Sequence, residues 1–182
     1  MRARQPEGSG FVTRDGVRLY WESFGAGPTT ILLLPTWSIV PSAHWKFQVP
    51  FLARRYRVVT FDGRGSGRSD RPVGAEHYTV EAFAADALAV LDATGTDQVV
   101  VGAMSCGTLW AIELAARHPE RVLGLFTLGP AVGLAPGHPE RAVYPFEGTL
   151  ADTEGWARYN ADYWSREYDA FVEFFATRMF TE

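Results

Sequence analysis

Cysteine is almost absent from this sequence, because Cys106 is the single cysteine among 182 residues. One cysteine excludes an internal disulfide and offers little for a zinc site, so we expect a reducing compartment, namely the cytoplasm. We expect no metal ion and no cofactor. Apolar runs of about 20 residues, the length that spans a bilayer, are missing as well. The polar N-terminus lacks the apolar core of a signal peptide, which predicts a flexible tail over residues 1–10.

A strong excess of charge of one sign is missing too. The 17 basic and 21 acidic residues are interspersed and give a formal net charge of −4. This balance provides no basic surface for nucleic acid or for an anionic membrane. With 47% hydrophobic residues, the chain has enough apolar material for a globular core. We therefore expect a small-molecule substrate as the partner, while the sequence leaves the oligomeric state open.

The hydrophobic pattern predicts strands that alternate with helices. Two alternating runs flank the turn Asp15–Gly16, which is typical of an antiparallel hairpin over residues 11–21. Further along, short continuous apolar runs predict strands that are buried on both faces. The predicted strands are 30–34, 57–61, 98–101 and 122–128, and the predicted helices are 44–55, 79–91 and 108–117. This order predicts a mostly parallel α/β sheet with helices on both faces.

The composition changes after Gly129, and this change divides the chain. Proline, glycine and charged residues dominate up to Gly148, and aromatic residues at helical spacing follow. From Tyr144 onward the chain holds 11 of its 25 aromatic residues, so this segment must cover an apolar surface or be covered itself. We predict an α/β core over residues 11–130 and part of a helical cap over residues 131–182.

A serine between a predicted strand and a predicted helix is the strongest functional signal. Ser105 has small residues two positions before and after it, Ala103 and Gly107, as a sharp strand-to-helix turn requires. Two other registers fail. One register starts from Gly102 and would make the inert Met104 the nucleophile. The other would choose Cys106 and place Met104 where a small residue is needed. Ser105 is therefore the predicted nucleophile.

Two stretches resemble motifs of the α/β-hydrolase superfamily. The sequence from Ser105 to Val122 is similar to the segment after the nucleophile, and FDGRGSGRSDRP at residues 61–72 resembles the family's Asp-x-Arg-Gly-x-Gly-x-Ser loop. The charged side chains of that loop are expected to hold its shape. The resemblance, which covers about residues 11–130, implies a serine hydrolase of esterase, lactonase or C–C hydrolase type for small apolar ester-like substrates. Epoxide hydrolases and haloalkane dehalogenases carry aspartate at the position of Ser105.

The resemblance also implies two backbone amides that stabilise an oxyanion. The Cys106 N–H, at the predicted helix start, is expected to be the first donor. The second donor comes in this family from a His-Gly-x loop, which here reads Pro35-Thr36-Trp37 and makes the Trp37 N–H the expected group. Pro35 has no N–H and Thr36 restricts the backbone, so a purely structural role for Trp37 is equally compatible with the sequence.

A serine nucleophile needs a histidine base and an acid that orients it, and in this family both follow the serine. His118 lies 13 residues further on, about 20 Å along a helix, and is expected to cap that helix. His138 follows the last predicted strand, at the sheet edge where ligands bind, and is a weak candidate base because it precedes any candidate acid. His44 is expected near the pocket mouth. We therefore expect a fragment whose ester hydrolysis is near background. The alternatives are a non-catalytic ligand-binding or regulatory module and a pair of chains that completes the site.

Overall fold

The computed structural model describes residues 4–133, 137 and 139–179. The chain divides into two compact units, Met1–Val132 and Gly133–Glu182. Within the described ranges, no helix combines the length and the hydropathy that a membrane span needs. His138, which the sequence offered as a weak candidate base, lies outside the described residues.

A six-stranded mixed sheet forms the centre of the first unit. Its strands are β1 (Gly8–Arg14), β2 (Val17–Phe24), β3 (Thr30–Leu33), β4 (Arg57–Phe61), β5 (Val99–Met104) and β6 (Val122–Leu128). The order across the sheet is β1-β2-β4-β3-β5-β6. The pairs β1–β2 and β2–β4 are antiparallel, and the remaining neighbours are parallel. The prediction of a mostly parallel sheet with an antiparallel edge is confirmed.

The N-terminal tail is shorter than the sequence suggested. A flexible tail over residues 1–10 is wrong for residues 8–10, which lie in β1. Gly10 pairs with Trp21 on β2, and a Cβ atom on Gly10 would lie 2.9 Å from the Trp21 ring. Glycine is needed here because the indole ring covers the backbone, so its presence does not indicate disorder.

Three α-helices belong to the first unit: α1 (Gln48–Leu52), α2 (Val80–Ala93) and α3 (Gly107–Arg117). Helix α2 begins where its sequence predicts, because the Thr79 side chain accepts a hydrogen bond from the Ala82 N–H. The predicted helix over residues 44–55 is instead divided into a 3-10 helix, Ser42–Trp45, and the short α1. Pro50 explains the division, because it has no N–H to donate to the carbonyl of residue 46, as a continuous helix would require.

The centre of the sheet is buried on both faces, because consecutive residues of β3 point to opposite sides. Leu32 belongs to the larger apolar cluster, which includes Phe83 and Trp110 stacked with ring centroids 3.8 Å apart. Leu33 belongs to the cluster on the other face, together with Trp45. This two-sided burial accounts for the continuous apolar run in the sequence of β3.

Strand β6 is last in the sheet, and its apolar side chains are partly open to solvent. Leu123 is 57% exposed, Leu125 41% and Leu128 46%. The prediction that this strand is covered on both faces is therefore wrong within the described part of the chain. An outer strand has one neighbour and so buries less of each side chain than β3 does.

The second unit contains a small aromatic core of its own. Its helices are α4 (Pro139–Ala142) and α5 (Ala161–Met179), with a 3-10 helix at Gly155–Arg158. The buried Phe171 ring lies 4.5 Å from the Trp164 ring and 5.8 Å from the Tyr159 ring, measured between centroids. The Asn160 amide donates to two backbone carbonyls of the preceding loop. Helix α5 is interrupted at Glu167, whose backbone is not helical.

Candidate active site

Ser105 occupies the turn between β5 and α3 in a conformation that non-glycine residues rarely adopt. Its φ is +52°, and Asp15 in the β1–β2 hairpin is the other non-glycine residue with positive φ in the described chain. The left-handed region costs an ordinary residue about 1–2 kcal/mol. Strain of this kind persists where the surrounding structure fixes the backbone.

Hydrogen bonds fix the backbone on both sides of Ser105. Its N–H donates to the Leu128 carbonyl at the end of β6, with a distance of 3.1 Å. Its carbonyl accepts from the Thr108 N–H at 3.0 Å and from the Ala131 N–H at 3.2 Å. The turn is therefore held by the neighbouring strand, by the first turn of α3 and by the segment after β6.

The small residues around Ser105 allow close packing. Ala103 is completely buried, and a Cβ atom on Gly107 would lie 2.3 Å from the Pro35 carbonyl oxygen. Gly102 has a different reason to be small, because its Cβ atom would lie 2.4 Å from the Phe126 ring. Gly102, the first glycine of the register that would make Met104 the nucleophile, is therefore small because of packing within the sheet.

The loop after β3 lies against this turn. The Leu34 N–H donates to the Gly102 carbonyl at 2.9 Å, which continues the pairing of β3 with β5. The hydroxyl of the buried Thr36 then donates to the Met104 carbonyl at 3.0 Å. Thr36 has no positive φ. The backbone at this position therefore lies outside the left-handed region, which is the conformation that would favour the family's glycine.

The structure brings the three predicted site residues to neighbouring strand ends. Ser105 and Cys106 follow β5, and Trp37 follows β3, which pairs with β5. Cys106 precedes the first residue of α3, where amides have no partner inside the helix and the helix dipole favours negative charge. Trp37 is half-buried, and its carbonyl accepts from the Val40 N–H at 3.1 Å. This strand edge therefore holds all three residues that the sequence predicts for the site.

Among the described residues, no histidine forms a hydrogen bond with the Ser105 hydroxyl. His118 follows the last residue of α3, with Nδ1 3.4 Å from a Glu120 carboxylate oxygen, and the half-buried His77 lies beside Glu76. Within the described residues, the one side-chain hydrogen-bond contact of Ser105 Oγ is with the Cys106 sulfur at 4.0 Å. Within the described residues, the structure therefore pairs no histidine with the Ser105 hydroxyl.

His44 is the histidine with a perturbed titration. Its Nδ1 lies 2.9 Å from the Pro41 carbonyl, and its Nε2 is buried without a hydrogen-bond partner among the described residues. Burial lowers the pKa of His44 below its ordinary value of 6.5. Burial therefore favours the neutral form of the ring, and the carbonyl acceptor favours the tautomer with its proton on Nδ1.

The glycine-rich loop after β4 is held together by its charged residues. Asp62 accepts from the Ser42 N–H and hydroxyl and from the Arg68 N–H, each at 2.8 Å. Arg64 forms two bonds of 2.7 Å to the carboxylate of Asp86 on α2, and both side chains are buried. The expectation that these charges hold the loop agrees with the hydrogen bonds.

Asp86 had no place in the sequence interpretation, and Thr36 counted there only as a restriction on the loop. Thr36 donates to the carbonyl of Met104, the residue before Ser105, and Asp86 binds Arg64 inside the core. Asp86 carried a detectable signal, because it is an acidic residue on the apolar face of α2 beside Phe83 and Ala87. Thr36 carried none, since its partner lies 68 residues away.

Known proteins provide a separate line of evidence. Residues 29–178 match the family model for the alpha/beta hydrolase fold. The 2-hydroxymuconate semialdehyde hydrolase of Pseudomonas sp. (strain CF600) is 34% identical over 127 residues, which are 69% of this chain and 44% of that protein. Bifunctional epoxide hydrolase 2 of Rattus norvegicus is 33% identical over 145 residues, which are 76% of this chain and 24% of that protein. The chain spans less than half the length of these curated relatives.

A solved structure has the same fold over nearly the whole chain. Est816, described as an N-acyl homoserine lactone degrading enzyme, matches with a TM-score of 0.66 and 29% identity, covering 92% of this chain and 64% of that chain. The matching family segment begins directly before β3 and ends within α5, so it includes the strained turn at Ser105. The chain belongs to the α/β-hydrolase fold family.

Proposed function

We propose that the chain carries the nucleophile of a serine hydrolase and that Ser105 is this nucleophile. The observation that carries the proposal is the positive φ of Ser105 at a turn fixed by hydrogen bonds on both sides. Glycine would adopt this conformation without strain, so a residue with a purely structural role would have no need of a side chain. A strained serine is instead suited to projecting its hydroxyl from the turn.

The proposed reaction begins with attack of Ser105 Oγ on the carbonyl carbon of an ester-like substrate. The hydroxyl proton passes to a base, and negative charge develops on the carbonyl oxygen. The amides of Cys106 and Trp37 are the proposed donors to this oxyanion, and loss of one such donor typically costs about 2.7–4 kcal/mol of barrier. The leaving group departs with a proton, and water then releases the acid and restores the serine.

The substrate class is proposed from the nucleophile and from the relatives. The relatives are named as hydrolases, and they include a hydrolase of 2-hydroxymuconate semialdehyde and an enzyme that degrades N-acyl homoserine lactones. A serine at the turn favours carbonyl substrates over epoxides, even though epoxide hydrolases are also relatives. We propose a small apolar ester-like substrate and an activity of esterase, lactonase or C–C hydrolase type.

The remaining parts of the proposal concern the base and the second unit. No base reaches Ser105 Oγ within the described ranges, so we expect the 182-residue chain by itself to hydrolyse esters at a rate near background. We propose that residues 131–182, with their aromatic core, are part of a helical cap.

Ester hydrolysis tests this function directly. The protein from the complete reading frame and the 182-residue chain are compared on p-nitrophenyl esters of increasing acyl length, each with Ser105→Ala. We expect turnover by the complete product that Ser105→Ala abolishes, and turnover near background by the shorter chain. Turnover that survives Ser105→Ala would show that another residue is the nucleophile.

A second candidate function is a ligand-binding or regulatory module without catalysis. The observation that favours it is the missing base near Ser105 Oγ in the described part of the chain. The same experiment separates the two candidates. If the complete reading frame supplies no acid and histidine and no ester is hydrolysed, while an ester or lactone still binds by calorimetry, the binding module is the better account.

A further inference from the structure

Thr36 connects two parts of the proposed site that are far apart in sequence. It stands where the family's oxyanion loop carries glycine, and its side chain is 7% exposed. Its hydroxyl donates a hydrogen bond of 3.0 Å to the carbonyl of Met104, the residue directly before Ser105. A glycine could not form this bond, because it has no side chain.

The neighbours of Thr36 make related contacts around the nucleophile. The Leu34 N–H donates to the Gly102 carbonyl, and the Pro35 carbonyl oxygen lies so close to Gly107 that a Cβ atom there would be 2.3 Å from it. Three consecutive loop residues therefore contact the chain before and after Ser105. Only the contact from Thr36 depends on a side chain of the loop, so it can be removed without changing the backbone.

We propose that Thr36 is a positioning residue, which fixes the loop bearing the Trp37 amide relative to the Ser105 hydroxyl. This inference rests on the proposed serine hydrolase function. The hydrogen bond joins Thr36, which is adjacent to Trp37, to the carbonyl of Met104, which is adjacent to Ser105. The stiff, β-branched side chain of threonine helps to keep that geometry. The side-chain hydrogen bond of Thr36 thus restrains the loop at the position where the family has a flexible glycine.

The expected effect is large because oxyanion donors act only at the correct distance. Misplacement by about 1 Å can lower a rate about 100-fold. We expect Thr36→Val, which keeps the shape and removes the hydroxyl, to react about 10- to 100-fold more slowly. Thr36→Ser retains the hydroxyl and is expected to stay within about 3-fold of the wild type.

Thr108→Val is the matched control. Thr108 is also buried and lies close to Ser105 in sequence, but its hydroxyl has no hydrogen-bond partner among the described residues. Replacing the Thr108 hydroxyl by a methyl group therefore removes no hydrogen bond. We expect Thr108→Val to react with a fluorophosphonate probe as fast as the wild type.

The experiment measures the second-order rate of fluorophosphonate labelling at Ser105 in the protein from its complete reading frame. The variants are Thr36→Val, Thr36→Ser, Thr36→Gly and Thr108→Val, each tested below its unfolding temperature. Slow labelling of Thr36→Val and Thr36→Gly, with normal labelling of the other two variants, supports the proposal. If Thr36→Val does not fold, Thr36→Gly carries the comparison.

Three results would overturn the role of Thr36, and all three are distinct from a failure of the proposed function. Either Thr36→Val and Thr36→Gly label as fast as the wild type, or Thr36→Ser is as slow as they are. Equal slowing by Thr108→Val would also reject it, because the effect would then not depend on the bond to Met104. A wild-type protein that is not labelled at Ser105 would instead reject the serine hydrolase function itself.

Discussion

Gly107→Ala tests whether the loop after β3 and the nucleophile turn are packed as tightly as the structure shows. The added Cβ atom would lie 2.3 Å from the Pro35 carbonyl oxygen, whereas real Cβ atoms essentially never come closer than 3.0 Å. The nearest atom belongs to the backbone and cannot rotate away. Overpacking of this kind costs about 1–3 kcal/mol, and the better helix propensity of alanine returns up to about 1 kcal/mol. We expect a net loss of about 1–2 kcal/mol in unfolding free energy.

Urea denaturation at 25 °C measures this loss, with Gly124→Ala as the control. Gly124 lies in β6, and a Cβ atom there would have no heavy atom within 4 Å, so the control should be neutral or slightly stabilising. The Gly107→Ala variant should unfold at a lower urea concentration with an unchanged slope. Equal stability of the two variants would refute the close contact between Gly107 and Pro35.

Two further predictions concern buried charge and pH. Asp86→Ala leaves the buried Arg64 without its carboxylate partner and should lower the unfolding free energy by about 3–5 kcal/mol. The control, Asp162→Ala, breaks a surface ion pair and should cost less than about 1 kcal/mol. Similar losses for the two variants in urea denaturation would contradict the burial of Arg64. Because burial lowers the pKa of His44, the unfolded chain binds a proton more readily, and stability should fall as the pH drops below 6.5. His44→Gln should weaken this dependence in urea midpoints from pH 7.5 to 5, and an unchanged pH profile would contradict the buried neutral ring.

The sequence predicts those parts of the fold that depend on neighbouring residues. The alternation around Asp15–Gly16, the apolar run of β3 and the Thr79 cap of α2 each carry their own signal, and each element forms where expected. The start of β1 carries no such signal, because the need for glycine at position 10 comes from the ring of Trp21 on the paired strand. A contact across strands leaves no mark in the local pattern.

The same distinction applies to the candidate site. The turn at Ser105 was predictable, because the small residues that it needs are two positions away on either side. The bond between Thr36 and the Met104 carbonyl was not, because it joins residues 68 positions apart. From sequence alone, Thr36 counted only as a departure from the family pattern that restricts the loop. The structure assigns its hydroxyl a partner and places its backbone outside the left-handed region.

Fluorophosphonate labelling located by mass spectrometry tests the central claim most directly. The protein from its complete reading frame is treated with the probe, digested and mapped, with Ser105→Ala and Cys106→Ala treated in parallel. We predict one adduct on Ser105, which persists in Cys106→Ala and disappears in Ser105→Ala. An adduct that survives Ser105→Ala, or a protein that is not labelled at all, would contradict the assignment of Ser105 as the nucleophile.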